Sequence, residues 1–322
     1  MSEQHETPEK PSYKTVWERD TLERLAFATL AEQRANRRWR IFFRFAWLAV
    51  IAALLWTGTH KGGMGGNGPS QPHTAVVAIK GEIADGADAS AEWVVTALRA
   101  AFEDEGSQAV VLQINSPGGS PVQAGIINDE IRRLKEKHKK PVYAVVEESC
   151  ASAAYYIAVA ADEIYVDKAS IVGSIGVLMD GFGFTGLMDK LGVERRLMTA
   201  GVNKGFLDPF SPQTKPQRAH AQTLLDQIHK QFIQVVREGR GKRLKETPEL
   251  FSGLFWSGEQ AVDLGLADGL GNLDYVAREI VKAEDVIDYT RHENVAERLA
   301  KRFGAAIGEG AVRALQTMPV VR

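Results

Sequence analysis

Short apolar runs alternate with longer amphipathic stretches through the middle of the chain, and this alternation constrains the fold most. The apolar runs are AVVAIKG at 75–81, AVVLQIN at 109–115, PVYAVVE at 141–147 and EIYVD at 163–167. Helical spacing is found near 90–104, 121–137, 152–161, 215–240, 245–253 and 258–264. Strands that are apolar on both faces and separated by helices are typical of repeated βαβ units. We therefore predict an α/β domain with a mostly parallel sheet.

An uncharged apolar run at 45–59 precedes this domain, and it predicts a transmembrane signal anchor at 39–59. The longer span is feasible because the side chains of Arg40 and Arg44 can reach the headgroups. A buried core helix or a cleaved signal peptide is the alternative, but roughly 40 polar residues before the run fit neither. The arginines on the N-terminal flank are Arg34, Arg37, Arg38, Arg40 and Arg44. Since only Lys61 closely follows the span, the N-terminus is predicted to be cytoplasmic and the α/β domain extracytoplasmic.

The composition divides the rest of the chain and excludes some classes of function. The predicted parts are a cytoplasmic tail with an amphipathic helix at 1–38, a Gly-rich linker at 60–73, the folded domain at 74–283 and a helical tail at 284–322. A formal charge of −2 argues against a general nucleic-acid binder. The single cysteine, Cys150, excludes an intrachain disulfide.

Two loops that follow predicted strands carry candidate chemistry. Gly118 and Gly119 lie in the loop SPGGS at 116–120, where main-chain N–H groups can point at an anion or a developing oxyanion. A simple tight turn is the alternative. Ser152 lies in CASAA at 150–154, at the start of a predicted helix, where its hydroxyl could act as a nucleophile. Ser149 or Ser152 could instead be a helix N-cap.

A serine nucleophile needs a base, and the seven histidines offer no convincing one. They lie outside the predicted domain or in charged helical and tail segments, and the chain has no GxSxG motif. Lysine can replace histidine when burial lowers the pKa of its ammonium group. Lys204 is the candidate because small and apolar residues surround it in MTAGVNKGF at 198–206. The alternative is a solvated surface lysine.

The chain resembles the short-form signal peptide peptidase A family, the S49 serine peptidases that include the SohB proteins. The resemblance covers about 74–283 and rests on five blocks in order. They are INSPGGS at 114–120, CASAAYY at 150–156, AADEIYVDKASIVGSIGV at 160–177, KLGVERRLMTAGVNKGFLDPF at 190–210 and WSGEQAVDLGLADGLG at 256–271.

The resemblance implies a role for each matching residue. Ser152 corresponds to the nucleophile, Lys204 to its base, and Ser174 to the serine that orients the lysine. The oxyanion donors would be the N–H of Ala153 and that of Gly118 or Gly119. We expect an extended peptide to bind along Ile175, Gly176 and Val177. The family often has glycines after the nucleophile, so an alanine there would be strained by roughly 1 kcal/mol if the position required a positive φ.

The resemblance also implies a fold, an assembly and a substrate class. The fold is the ClpP/crotonase type, and family members form homo-oligomeric rings in which the serine and the lysine can come from adjacent subunits. The implied function is cleavage of hydrophobic peptides, such as remnant signal peptides or membrane-protein fragments, at the bacterial inner membrane. No metal or organic cofactor is required.

Two other functions stay open. A crotonase-like acyl-CoA enzyme uses similar paired backbone donors, although an exported domain would not meet cytosolic acyl-CoA. A non-catalytic membrane scaffold of the same fold is the other alternative, and the presence of both Ser152 and Lys204 argues against it.

Overall fold

The computed structural model describes residues 37–52 and 71–291, which belong to two separate compact units. Residues 37–52 form helix α1, on which the ring of Trp39 stacks on that of Phe43 with centroids 5.6 Å apart. Across the two described ranges, no helix has both the length and the apolar character needed to cross a bilayer. The predicted span at 39–59 continues past α1 into residues outside the described ranges. Residues 1–36 of the predicted tail at 1–38, most of the linker at 60–73 and residues 292–322 of the predicted tail at 284–322 also lie outside them.

The second unit is built on a single sheet. Its strands are β1 (His73–Lys80), β2 (Ser107–Ser116), β3 (Val142–Ala151), β4 (Glu163–Val166), β5 (Ile171–Gly173), β6 (Phe255–Ser257), β7 (Gly269–Leu270) and β8 (Val286–Asp288). The main path runs β6-β5-β3-β2-β1-β8, and β4 pairs with the first half of β3 and with β7. Every pairing is parallel except that of β5 with β6. The prediction of an α/β domain with a mostly parallel sheet is confirmed.

The described part of this unit has seven α-helices, of which five correspond to predicted segments and two, at 185–191 and 273–275, were not predicted. The seven are α2 (Ala91–Glu103), α3 (Pro121–His138), α4 (Ala153–Ala158), α5 (Thr185–Leu191), α6 (Lys215–Arg240), α7 (Gly258–Asp263) and α8 (Leu273–Tyr275), the last continued by a π-helix at Val276–Val281. The helix predicted at 245–253 is wrong. That segment forms successive turns, in which the Leu250 N–H donates to the Thr247 carbonyl at 3.1 Å, because Pro248 disfavours helical backbone at Thr247.

The sheet extends past both predicted ends of the peptidase domain. β1 begins at His73, within the predicted linker, and the edge strand β8 lies after residue 283. Residues 286–288 pair in parallel with residues 74–76 of β1, so this part of the predicted tail completes the sheet.

Burial on both faces explains the apolar strands. Along β2, Val110 and Leu112 belong to the large core under α2, α3 and α4, whereas Val111 belongs to a smaller cluster on the opposite face. Successive strand residues point to opposite faces, so neither face could be polar. The carboxyl ends of β2 and β3 lie side by side, and they carry the two loops with candidate chemistry.

Candidate active site

Ser152 forms the sharp turn between β3 and α4. Its backbone has φ 53° and ψ −121°, a conformation that L-residues rarely adopt. The Ser152 N–H donates to the Gly173 carbonyl at 2.8 Å, and the Ser152 carbonyl accepts from the Tyr156 N–H at 3.0 Å. Ser152 has a positive φ, whereas Ala153 does not. The strain therefore falls on the serine itself, and alanine after it is accommodated.

Burial and two side-chain hydrogen bonds fix the short helix α4, and this keeps the Ser152 turn in place. All six of its residues are buried. The Tyr155 hydroxyl donates to the Leu266 carbonyl at 2.8 Å, and burial raises the pKa of Tyr155, so the hydroxyl stays a donor. The Asn128 amide donates to the Tyr156 carbonyl at 2.7 Å. Such surroundings can offset the ~1–3 kcal/mol that a rare backbone conformation costs.

The only cysteine is unsuited to act as a nucleophile in place of Ser152. Cys150 is fully buried in the core beneath the turn. Burial raises the pKa of its thiol, which disfavours the reactive thiolate.

The glycine loop after β2 packs directly on the Ser152 turn. Gly118 has φ 107°, and a Cβ placed on it would lie 2.8 Å from both the Ala151 carbonyl oxygen and the Ser152 Cβ. Gly119 has φ 149°, and a Cβ there would lie 2.2 Å from the Ile83 carbonyl oxygen. Both positions therefore require glycine for space as well as for backbone conformation.

Ile83 ties the glycine loop to the segment that follows β1. The Ile83 N–H donates to the Gly118 carbonyl at 2.9 Å, and the Ser120 N–H donates to the Ile83 carbonyl at 2.7 Å. No sequence pattern predicts this contact, since Ile83 carries no chemical group that would mark it.

The main-chain donors near Ser152 are not equivalent. The Gly118 N–H donates to the Ser116 hydroxyl at 3.2 Å, so it is occupied. Within the described residues, the N–H groups of Gly119 and Ala153 have no hydrogen-bond partner. Both residues line the same cavity as Ser152. Of the two glycines that the sequence left as alternatives, Gly119 is the one with a free donor.

The cavity beside Ser152 has a volume of about 550 Å³, and none of the described residues that line it carries a charged side chain. Its lining consists of Pro117, Gly119, Pro121, Ser152, Ala153, Tyr156, Ser174, Gly176, Val177, Leu178, Ile228, Gln231, Phe232, Ser252 and Gly253. The described residues therefore supply this cavity with the Ser152 hydroxyl and two free main-chain N–H donors, but with no strong base.

The predicted substrate-binding residues divide between the cavity and the core. Ser174, Gly176 and Val177 line the cavity, whereas the side chain of Ile175 is fully buried in the core. Ser174 has φ 51°, and its N–H donates to the Leu254 carbonyl at 2.8 Å. The stretch from Ser174 to Val177 therefore forms one wall of the cavity, with Ile175 as its anchor.

Lys204 lies in an exposed turn and is not among the residues that line the Ser152 cavity. Its N–H donates to the Gly201 carbonyl at 3.0 Å. We call residues 177–213 the arm. Large apolar side chains are exposed along it, among them Leu178, Phe182, Leu187, Leu191, Met198 and Val202. Within one chain, the structure does not bring Lys204 to the cavity of Ser152.

A larger cleft of about 1160 Å³ lies elsewhere on the sheet, lined in part by Glu147, Glu148, Asp167 and Lys168. It contains none of the predicted catalytic residues. Ser170, which lines this cleft, has its hydroxyl hydrogen-bonded to the Glu147 carbonyl and to the Asp167 N–H. The smaller cavity, with its strained serine and free donors, is the better candidate for an active site.

Comparison with known proteins identifies the family of the chain. The family model described as Peptidase family S49 matches residues 134–287. The putative protease MJ0651 of Methanocaldococcus jannaschii is 33% identical over 222 residues, which cover 67% of this chain and 71% of that protein. The putative signal peptide peptidase SppA of Enterococcus faecium is 32% identical over 199 residues, which cover 61% of this chain and 57% of that protein. The chain belongs to peptidase family S49.

Another relative has a higher sequence identity to this chain, but the match covers a smaller part of that relative. A Brucella melitensis protein named Na(+)/H(+) antiporter NhaA is 50% identical over 176 residues, or 55% of this chain. This chain spans only 24% of the length of that protein.

Proposed function

We propose that this protein is a membrane-anchored serine endopeptidase in which Ser152 is the nucleophile and Lys204 the general base. Its substrates would be hydrophobic peptides, such as remnant signal peptides or fragments of membrane proteins. The observation that carries the proposal is the Ser152 turn itself. A serine in a strained conformation shares a cavity with two free main-chain donors, those of Gly119 and Ala153. This combination suits acyl transfer through a tetrahedral oxyanion.

The mechanism follows from the positions of these groups. The scissile carbonyl oxygen accepts hydrogen bonds from the N–H groups of Gly119 and Ala153. Ser152 Oγ attacks the carbonyl carbon while its proton passes to the Lys204 amine. Lys204 returns that proton to the leaving amine, and an acyl-enzyme remains on Ser152. Lys204 then deprotonates a water molecule, which attacks the ester, and Lys204 returns that proton to Ser152 Oγ as the second product leaves.

The base would come from a second copy of the chain, in a homo-oligomeric ring. No charged side chain of the described ranges lines the Ser152 cavity, and Lys204 lies on an arm whose apolar side chains are exposed. Soluble proteins rarely leave apolar patches of this kind uncovered. If the arm docks on a neighbouring copy, it covers this surface and carries Lys204 toward the neighbour's cavity. Ser174, on the cavity wall, would then orient the lysine.

The walls of the cavity support a preference for apolar side chains. The rings of Tyr156 and Phe232 lie against each other with centroids 5.3 Å apart, and both line the cavity together with Ile228 and Val177. Apolar side chains are favoured in such a site because no ionic partner compensates the desolvation of a charge. An extended substrate would bind along the wall formed by Gly176 and Val177.

A membrane anchor would place the enzyme beside such substrates. The uncharged run at 45–59 and the arginine-rich flank before it support a single span at 39–59 with the N-terminus in the cytoplasm. The catalytic domain would then lie outside the cytoplasm, at the bacterial inner membrane.

The test uses the full chain in detergent and a fluorogenic hydrophobic peptide. We expect hydrolysis in the wild type, and labelling of Ser152 by a fluorophosphonate probe mapped by mass spectrometry. Ser152→Ala and Lys204→Ala should each lower kcat/KM by about 10³-fold or more. Matched controls are Ser149→Ala, which removes a nearby hydroxyl, and Lys242→Ala, which removes an exposed lysine outside the arm. Both should stay within about twofold of the wild type.

Three outcomes would contradict the proposal. Hydrolysis that survives in Ser152→Ala would exclude this nucleophile. Turnover of an acyl-CoA thioester without peptide cleavage would favour the crotonase-like alternative. Neither turnover nor labelling would favour a non-catalytic scaffold.

A further inference from the structure

His229 makes a specific contact that the mechanism above does not use. It lies on α6 and is half-buried, and its Nε2 atom is 3.1 Å from the Ile175 carbonyl oxygen. A carbonyl oxygen can only accept a hydrogen bond, so Nε2 carries the proton and donates. His229 is therefore unsuited to accept a proton from Ser152 through this nitrogen.

The acceptor of this bond belongs to a tight turn in the cavity wall. The Gly176 N–H donates to the Ser174 carbonyl at 2.9 Å, which makes Ile175 the centre of a three-residue turn. The Ser174 N–H is held by the Leu254 carbonyl, and Gly176 packs against Gly253. These contacts hold the two ends of the turn, and the His229 bond holds its middle.

The neighbours of His229 on α6 face the same cavity. Ile228, Gln231 and Phe232 line it, and so do Ser174 and Gly176 on the turn. The His229 bond thus joins two walls of the cavity, one helical and one extended. Ser152 and its two donors lie on other segments, at the ends of β2 and β3.

We propose that His229 is a positioning residue that fixes the Ser174–Gly176 turn so that the wall formed by Gly176 and Val177 can bind an extended peptide. The role in catalysis rests on the proposed peptidase function, whereas the fixing of the turn does not. The group required is a donor at the position of Nε2. Glutamine can supply one from its amide, and leucine cannot.

The first experiment measures hydrogen exchange by mass spectrometry in the full-length protein, with no substrate. In His229→Leu we expect the amides at 175–178 to exchange about tenfold faster than in the wild type. In His229→Gln they should exchange within about threefold of the wild-type rate. Gln227→Leu, at an exposed position of the same helix, is the control and should change nothing. Unchanged exchange in His229→Leu, or equal acceleration in the leucine and glutamine variants, would overturn the proposal.

The second experiment separates substrate positioning from nucleophile reactivity. In His229→Leu we expect KM for a hydrophobic peptide to rise about tenfold, with recovery in His229→Gln. Labelling of Ser152 by a small fluorophosphonate should stay within about twofold, because the probe needs only the serine and its donors. An unchanged KM in an active His229→Leu enzyme would overturn the catalytic role. An inactive wild type would instead contradict the peptidase function, and hydrogen exchange would still decide whether His229 fixes the turn.

Discussion

The turn that carries Ser152 and the arm that carries Lys204 differ in how the rest of the chain supports them. Behind Ser152, the helix Ala153–Ala158 is buried, and its hydrogen bonds reach α3 and the segment before β7. On the arm, Met198 is 93% exposed and Val202 is 96% exposed. The Ser152 turn is thus supported within one chain, whereas the arm presents surface that the described chain does not cover.

This difference shows that one fold can hold a strained residue in one region and present an association surface in another. A strained serine persists only where its surroundings determine its backbone, and α4 with the glycine loop provides such surroundings. An exposed apolar arm can gain stabilisation only from a further surface. The two halves of the proposed dyad should therefore respond differently to mutation, the first through folding and the second through assembly.

Mixing two inactive variants gives the largest expected effect. Ser152→Ala and Lys204→Ala should each lose about 10³-fold in kcat/KM. After joint dissociation and reassembly, a ring with shared sites should regain about a quarter of the wild-type activity, since random mixing leaves one site in four with both groups. Peptide hydrolysis of the mixture measures this. A mixture of Ser152→Ala with the double variant is the control and should stay inactive, and no recovery in verified mixed oligomers would contradict a dyad shared between copies.

Removal of the charge that pairs with the buried Arg240 should destabilise the folded domain. The Arg240 side chain is fully buried, and its two terminal nitrogens donate to Asp268 at 2.8 and 2.9 Å. Asp268→Asn leaves this guanidinium without its anion, so the free energy of unfolding at pH 7 should fall by about 3–5 kcal/mol. Urea denaturation measures this. Glu246→Gln, which breaks the exposed ion pair with Arg237, should cost less than about 1 kcal/mol.

The same pair predicts a dependence of stability on pH. Burial raises the pKa of Asp268, but the hydrogen bonds and charge of Arg240, the Ile164 N–H and the charge of Arg243 together lower it by more, so the net shift is downward. A carboxyl whose pKa is lowered by folding contributes stability above its unfolded pKa, and loses it as pH falls through the folded pKa. The difference between wild type and Asp268→Asn should therefore shrink below about pH 4. A difference that stays constant down to pH 2 would contradict this.

Gly118→Ala should affect catalysis more than it affects folding. The added Cβ would lie 2.8 Å from Ser152 Cβ, so the turn must shift. A displacement of about 1 Å in a catalytic group can cost about 100-fold in rate. We expect this loss in kcat/KM, with a destabilisation of about 1–3 kcal/mol. Gly125→Ala is the control, because a Cβ there meets open space on α3 and should raise helix stability by about 0.5–1 kcal/mol. Equal activity in the two variants would show that the turn tolerates the shift.

The periodicity of apolar residues predicted most strands and helices correctly, because burial determines where apolar residues lie along each element. The run at 109–115 and the helical pattern at 215–240 correspond closely to β2 and α6. The predicted helix at 245–253 is wrong. Its apolar residues have helical spacing, but Pro248 interrupts the backbone and disfavours a helix there. Its buried Leu250 packs from a turn instead.

The geometry of the site was less predictable than its residues. Strand–loop–helix order placed Ser152 and the two glycines at one edge of the sheet. The positive φ of Ser152 and the contact with Ile83 depend on tertiary packing that no local pattern records. The same holds for the His229 bond, which joins residues 54 positions apart in the chain. The roles of Ser152 and Lys204 stay predictions.

Val202→Asp should give the smallest effect, confined to association. Val202 is almost fully exposed on the arm, so a charge there should leave the stability of one chain within about 0.5 kcal/mol. If the arm docks on a second copy, the substitution removes the favourable burial of the valine side chain, and association should weaken about tenfold. Analytical ultracentrifugation in detergent measures this, and activity should become dependent on protein concentration. Thr96→Asp adds the same charge at an exposed position on α2 and should leave the association constant unchanged. Equal association in both variants would show that Val202 is not in an interface. Another part of the arm would then have to dock for Lys204 to reach a neighbouring cavity.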